Sequence, residues 1–164
     1  MSEPQTAAGS PVQEAVQAFE AAHQAIVGFV TDCSETDWHR VVPIEERTVA
    51  VMADHIAMGY ELSVGWLRSA LAGQPIPGEV GQMDVDNARD ALERSGVSRA
   101  EVLELLQARS PAVLAALRSV RVEYLERRVH FGPGNMPMPV SSLVTVATSH
   151  VTRHLEHIRA ALEE

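Results

Sequence analysis

The sequence predicts an all-α fold, a four-helix bundle with long loops between its helices. Three observations carry this expectation. Hydrophobic residues make up 46% of the 164 and aromatic residues 4%, so the core must be built of Ala, Val, Leu, Ile and Met, which suits packed helices. Four long segments repeat apolar residues at the three-and-four spacing of an amphipathic helix. Helix-start chemistry stands in front of three of them, with Pro/Gly-rich or polar connections between.

The first helix is expected over about 11–31. Ser10-Pro11-Val12-Gln13 supplies an N-cap serine, a proline at N1 and a glutamine at N3, and Val12, Val16, Phe19, Ile26 and Val30 make its stripe. His23 falls close to that stripe, where a lone histidine is ordinarily a packed neighbour. Periodicity stops between Asp32 and Arg47, a loop in which Trp38 has the large apolar area of an anchor or of a pocket wall. Thr48 can cap a second helix that runs to about Ala72 and stops at Gly73. Val51, His55, Met58, Leu62 and Trp66 share one of its faces, an apolar stripe with a histidine in the middle. Gly59 and Gly65 weaken this helix, and close approach of a neighbouring helix would explain them.

A Pro/Gly-rich connection over 73–81 leads to a short helical pattern from Met83 that ends near Ser95-Gly96. Asp84, Asp86 and Asn87 lack the glycine and closing glutamate of a calcium loop. Ser98-Arg99-Ala100-Glu101 is a capping box that opens a third long helix, about 99–120, which Pro111 should kink or split. Most of 122–140 reads as loop, with Gly132-Pro133-Gly134-Asn135 at its centre. The last helix, about 141–164, contains no Gly or Pro.

That last helix carries His150, His154 and His157. His150 and His154 stand one turn apart on one face, a spacing at which two imidazoles can hold one metal ion. His157 shares roughly the same face. Histidines on a core-facing stripe are costly to bury unless something bonds to their nitrogens. A metal would do so, and so would buried hydrogen bonds. His55, on another inward face, becomes the candidate third ligand. His150 and His157 lie about 10.5 Å apart along the axis, from the ~1.5 Å rise per residue, so one ion takes either 150 with 154 or 154 with 157. The i, i+4 pair is the established helical arrangement, which leaves His157 to a pocket-wall or orienting role.

Composition sets outer limits. The net charge is −9 and no Lys/Arg cluster tracks phosphates, so nucleic acid is not an expected partner. No apolar run approaches the ~18 residues of a membrane span, and no signal peptide is evident. One cysteine, Cys33, leaves no internal disulfide and fits a cytoplasmic home. Residues 1–9 are expected to be a disordered tail and 10–164 a single domain.

The chain resembles the DinB family of four-helix-bundle proteins, which includes mycothiol-dependent maleylpyruvate isomerases and other thiol-dependent transferases. Three places carry the resemblance, which spans nearly the whole chain. Trp38, a following proline and Thr48-Val49-Ala50-Val51-Met52-Ala53-Asp54-His55-Ile56-Ala57 are similar to the family's loop tryptophan and helical histidine. Asp84-Val85-Asp86-Asn87-Ala88 is similar to the family's Asp-x-x-Asn-Ala stretch. His150-x-x-x-His154-x-x-His157-Ile158 matches its paired ligands, with His157 at a position that is commonly Gln or His. The resemblance implies one divalent metal held by His55, His150 and His154. Zn²⁺ is the first choice, and imidazole ligands suit Ni²⁺ and Fe²⁺ as well.

Three functions follow as expectations. One is a transferase using a low-molecular-weight thiol of the mycothiol or bacillithiol type. Another is a metal-dependent hydrolase at the same site. The third is a non-catalytic, stress-associated metal-binding protein. No residue is marked as the general base. Asp54 and Glu156, adjacent to the histidines, should point away from the metal face as surface or supporting residues. Cys33 is expected to be a bystander. A homodimer is expected from the family's habit and from apolar residues in excess of one stripe on the last helix, Val144, Val151 and Leu162.

Overall fold

The computed structural model describes residues 9–76, 80–130 and 137–163. Most of the expected tail and the Gly132–Asn135 stretch lie outside the described residues. Among the described residues six α-helices follow one another: α1 Pro11–Asp32, α2 Glu35–Trp38, α3 Val49–Leu71, α4 Val80–Glu93, α5 Arg99–Arg118 and α6 Val140–Glu163. The four long ones form the bundle. Each of α1 and α3 packs against both α5 and α6, so α1 and α3 face each other across a diagonal. The short α4 leans on α3 from outside.

Capping explains where the bundle helices begin. The hydroxyl of Ser10 accepts from the Gln13 amide at 3.2 Å and that of Thr48 from the Val51 amide at 3.3 Å. Ser98 and Glu101 close a reciprocal capping box. Helix α3 ends where Gly73 takes φ +70° and its amide bonds to the Ala70 carbonyl, with the Gln74 amide on the Ser69 carbonyl. This is the glycine-terminated helix end that an L side chain would strain.

The core runs through the middle of the four helices, with Phe19, Ile26, Met52, Ile56, Tyr60, Leu106, Leu117 and Ile158 among its fully enclosed side chains. Two expectations change here. One helix, α5, runs through Pro111 without being split. Pro111 is exposed, while Leu106, Ser110, Val113 and Leu117 are buried. Burial of that face outweighs the roughly 3 kcal/mol that an internal proline costs. On α6, Val144 and Val151 are buried within the bundle and the half-buried Leu162 packs against its core, so burial inside the bundle accounts for the two valines.

The loop before α3 is also more ordered than its sequence suggests. It contains α2 and a two-stranded hairpin, β1 Val41–Val42 with β2 Arg47–Thr48, paired Val41 to Thr48 and Val42 to Arg47. Four residues, Pro43 to Glu46, turn the corner, with Glu46 at φ 54°. The hairpin rests on α6. A second small hairpin, β3 Arg128–Val129 with β4 Met138–Pro139, leads into α6. No described helix is long and apolar enough to cross a membrane.

Candidate metal centre

Adjacent packing of α3 and α6 brings His55 to His150 and His154. One ring nitrogen from each lies within 4.8 Å of the others. Nε2 of His55 and Nε2 of His150 are 3.1 Å apart. Two metal–nitrogen bonds of ~2.05 Å put their nitrogens about 2.9 Å apart at a right angle and about 3.3 Å apart at a tetrahedral one. The observed spacing falls between the two, so the pair fits a shared ion. A hydrogen bond between one protonated and one bare nitrogen would account for the same distance.

The third histidine is more informative. Nδ1 of His154 is 2.9 Å from Oε1 of Glu45, and Nη2 of Arg153 approaches its Nε2 at 3.5 Å. A carboxylate only accepts and a guanidinium only donates. Both contacts therefore place the proton of His154 on Nδ1 and its lone pair on Nε2, where a metal would take the place of the long Arg153 contact. The carboxylate behind the ring is the arrangement that orients metal-bound histidines.

The same carboxylate oxygen accepts from Nδ1 of His157 at 2.6 Å. Glu45, His154 and His157 thus form a second group whose atoms could hold an ion, although hydrogen bonds already account for its short distances. Glu45 is a site residue that periodicity does not reveal. It sits in the four-residue turn of the first hairpin, and the fold of that turn onto α6 is what delivers it.

Electrostatics favour neutral imidazoles. Burial, reinforced by nearby positive charge, lowers His55 to a pKa of about 4. Burial and the neighbouring histidines lower His150 to about 3. His154 is lowered by burial, against the pull of Glu45. Burial would raise the Glu45 carboxyl, but the hydrogen bonds and charge of His157 and His154 leave it lowered. A neutral imidazole keeps an N–H on one ring nitrogen and a lone pair on the other, which is the state that a metal needs.

Beside the cluster lies a cavity of about 660 Å³, walled by α3, α4 and α6, with His55 and His150 in its lining. Val51, Met58, Leu62 and Trp66, the α3 stripe that reads as a core face, line this cavity instead. Arg47, Arg153 and Ser149 border it as well.

The other candidates are placed elsewhere. Trp38 is buried, and its indole N–H donates to the Val97 carbonyl at 3.0 Å. It fastens the α2 segment to the residues before α5, and the structure does not bring it to the histidines. His23 pairs with the Tyr60 hydroxyl at 3.1 Å. Cys33 is buried at the end of α1 with its thiol pKa pushed up by burial. Asp54 lines the same cavity and is engaged by Arg94 rather than by the histidines, and it is not a surface group. It is 3% exposed and receives a fork of hydrogen bonds from Arg94, the shortest 2.8 Å. Glu156 is exposed.

A helical bundle with three convergent imidazoles beside a cavity defines a class of candidate metal proteins. Residues 18–158 match the model of the DinB superfamily. The chain belongs to that superfamily. Among curated proteins none matches it. Solved structures share its fold at low identity. YfiT from Bacillus subtilis, described as a probable metal-dependent hydrolase with an unusual four-helix bundle topology, superposes with a TM-score of 0.77 at 14% identity, over 99% of this chain and 92% of that one. A mycothiol-dependent maleylpyruvate isomerase gives 0.71 at 12% identity, over 90% of this chain and 60% of that one. The sibling lethal factor precursor DfsB gives 0.71 at 20% identity, over 93% and 95%. At such identities the likeness speaks for the fold.

Proposed function

We propose that this protein is a metal-dependent enzyme, a transferase acting with a low-molecular-weight thiol, in which His55, His150 and His154 hold one divalent ion, Zn²⁺ by preference. The observation that carries the reading is the convergence of three neutral imidazoles, two of which, His55 and His150, line a cavity of about 660 Å³. A cavity of that volume has room for a small thiol and a second molecule side by side. When bound, the ion would supply Lewis acidity that holds a thiol as thiolate near neutral pH. The residues of the chain do the rest. Glu45 fixes the ring of His154 through Nδ1. Met58, Leu62 and Trp66 offer an apolar wall to the acceptor molecule. His157, hydrogen-bonded to the same carboxylate, stands beside His154 as an orienting group.

A hydrolase is the second reading. The coupled Glu45 and His157 pair favours it, because a carboxylate–imidazole pair next to a metal ligand can relay a proton from water. The resemblance to YfiT supports it as well.

Elemental analysis of the purified protein, followed by conjugation assays with mycothiol, bacillithiol and glutathione against 1-chloro-2,4-dinitrobenzene, tests the leading reading. It predicts one divalent ion per chain and metal-dependent conjugation with at least one thiol. Metal-dependent ester or amide hydrolysis without conjugation would transfer the case to the hydrolase.

A further inference from the structure

We propose that Arg47 and Arg153 form an anion-binding subsite at the histidine end of the cavity, so that the protein selects a small ligand carrying a carboxylate or a comparable oxyanion. The proposal rests on the reading of the three histidines as a metal centre.

The charge pattern of the cavity wall is the argument. Four carboxylates line it, and each faces an arginine. Asp54 takes Arg94 at 2.8 Å, and Glu61 takes Arg109 at 3.2 Å. Asp86 and Asp90 share Arg89 at 3.1 and 3.3 Å. Two further cations border the same cavity, Arg47 and Arg153. Among the described residues neither of them enters an ion pair, and the polar contact of Arg153 is its approach to His154. Both lie near enough for their charge to act on His55. The acidic side of the wall is therefore neutralised, while its histidine end carries two guanidinium groups outside any ion pair, the nearby Glu45 carboxylate being engaged by His154 and His157.

This arrangement stands against the charge of the whole chain, which is −9. A random surface of such a protein would more readily present acids. Arg47 is held half-buried by the first hairpin, and Arg153 is carried on α6 one residue before His154. Both elements also deliver site residues, Glu45 and His154. The guanidinium fork matches a carboxylate with paired hydrogen bonds. A metal with three neutral ligands adds two positive charges at the same end. An anionic group is what this corner of the cavity would bind, with the apolar wall of α3 left for the remainder of the molecule.

The test uses full-length protein loaded with Co²⁺ and titrated with 3-mercaptopropionate, 2-mercaptoethanol and cysteamine, read by the visible and near-ultraviolet spectrum of the ion. Malonate is titrated in parallel by calorimetry. The subsite predicts that 3-mercaptopropionate binds about tenfold more tightly than 2-mercaptoethanol, a factor in line with a charge-assisted hydrogen bond in a partly solvated pocket. Cysteamine should bind most weakly. The R47Q/R153Q variant should level the three thiols and lose malonate. Circular dichroism checks that the variant is folded. Equal binding of the three thiols to the unsubstituted protein, or a preference that survives in the variant, overturns the subsite and leaves the thiol reading standing. Malonate binding that depends on the arginines, with no thiol response, keeps the subsite and removes the thiol reading.

Discussion

A β-carbon added to Gly59 would lie 2.5 Å from Cε1 and 2.7 Å from Nδ1 of His150. The imidazole of His150 therefore occupies the space that any larger residue on α3 would claim. Gly65, further along the same helix, has nothing within 4 Å of the equivalent position. Close approach accounts for the first glycine and not for the second.

The two glycines give a paired prediction. Gly59→Ala should push His150 aside and lower Zn²⁺ affinity at least tenfold, because overpacking outweighs the gain in helix propensity. Gly65→Ala should leave metal binding alone and raise stability by up to about 1 kcal/mol. Metal titration with a chromophoric chelator and thermal melts of both variants check this.

On α6 the ranking of the histidines is expected to separate ligands from neighbours. His150→Ala should abolish stoichiometric metal binding, whereas His157→Ala should keep most of the metal. Glu45→Gln should fall between them, with a loss of about 10–100-fold in affinity, the usual effect of removing a carboxylate behind a ligand histidine. Elemental analysis after dialysis reads all three. Metal lost from the 157 variant and kept in the 150 variant would assign the ion to Glu45, His154 and His157 instead.

The pair of Asp54 and Arg94 ties α3 to the segment after α4. Asp54 is buried and its Arg94 partner is about one-third exposed. Arg94→Met should cost about 2–4 kcal/mol, since it leaves a buried carboxylate without its partner. Adding Asp54→Leu should recover part of the loss. Urea unfolding of the single and double variants provides the comparison, and equal stability of Arg94→Met and the parent protein would contradict it.

Chelation should leave the far-ultraviolet circular dichroism helical while the melting temperature falls, because the bundle has a continuous apolar core of its own. The stabilisation should grow with metal concentration relative to the dissociation constant. Complete unfolding on chelation would show that the ion is part of the fold.

Much of this architecture is legible in the sequence, for physical reasons. Ser10, Thr48 and Ser98 announce their helices because capping is local chemistry. The facing of His55, His150 and His154 follows from helical period once two helices are taken as neighbours. Glu45 was not legible, because a turn residue has no period and its partners lie 109 and 112 positions away. The stripe from Val51 to Trp66 was read as core because apolar periodicity marks a covered face without saying what covers it. Pro111 was read as a kink or a split, and the split fails because propensity is local and the packing that overrides it is not.

The most direct test of the metal assignment is an anomalous difference map at the zinc edge from crystals of the metal-loaded protein. The account predicts one peak per chain, about 2.0–2.3 Å from a nitrogen each of His55, His150 and His154. A peak among Glu45, His154 and His157, or none at the histidines of α3 and α6, would contradict it.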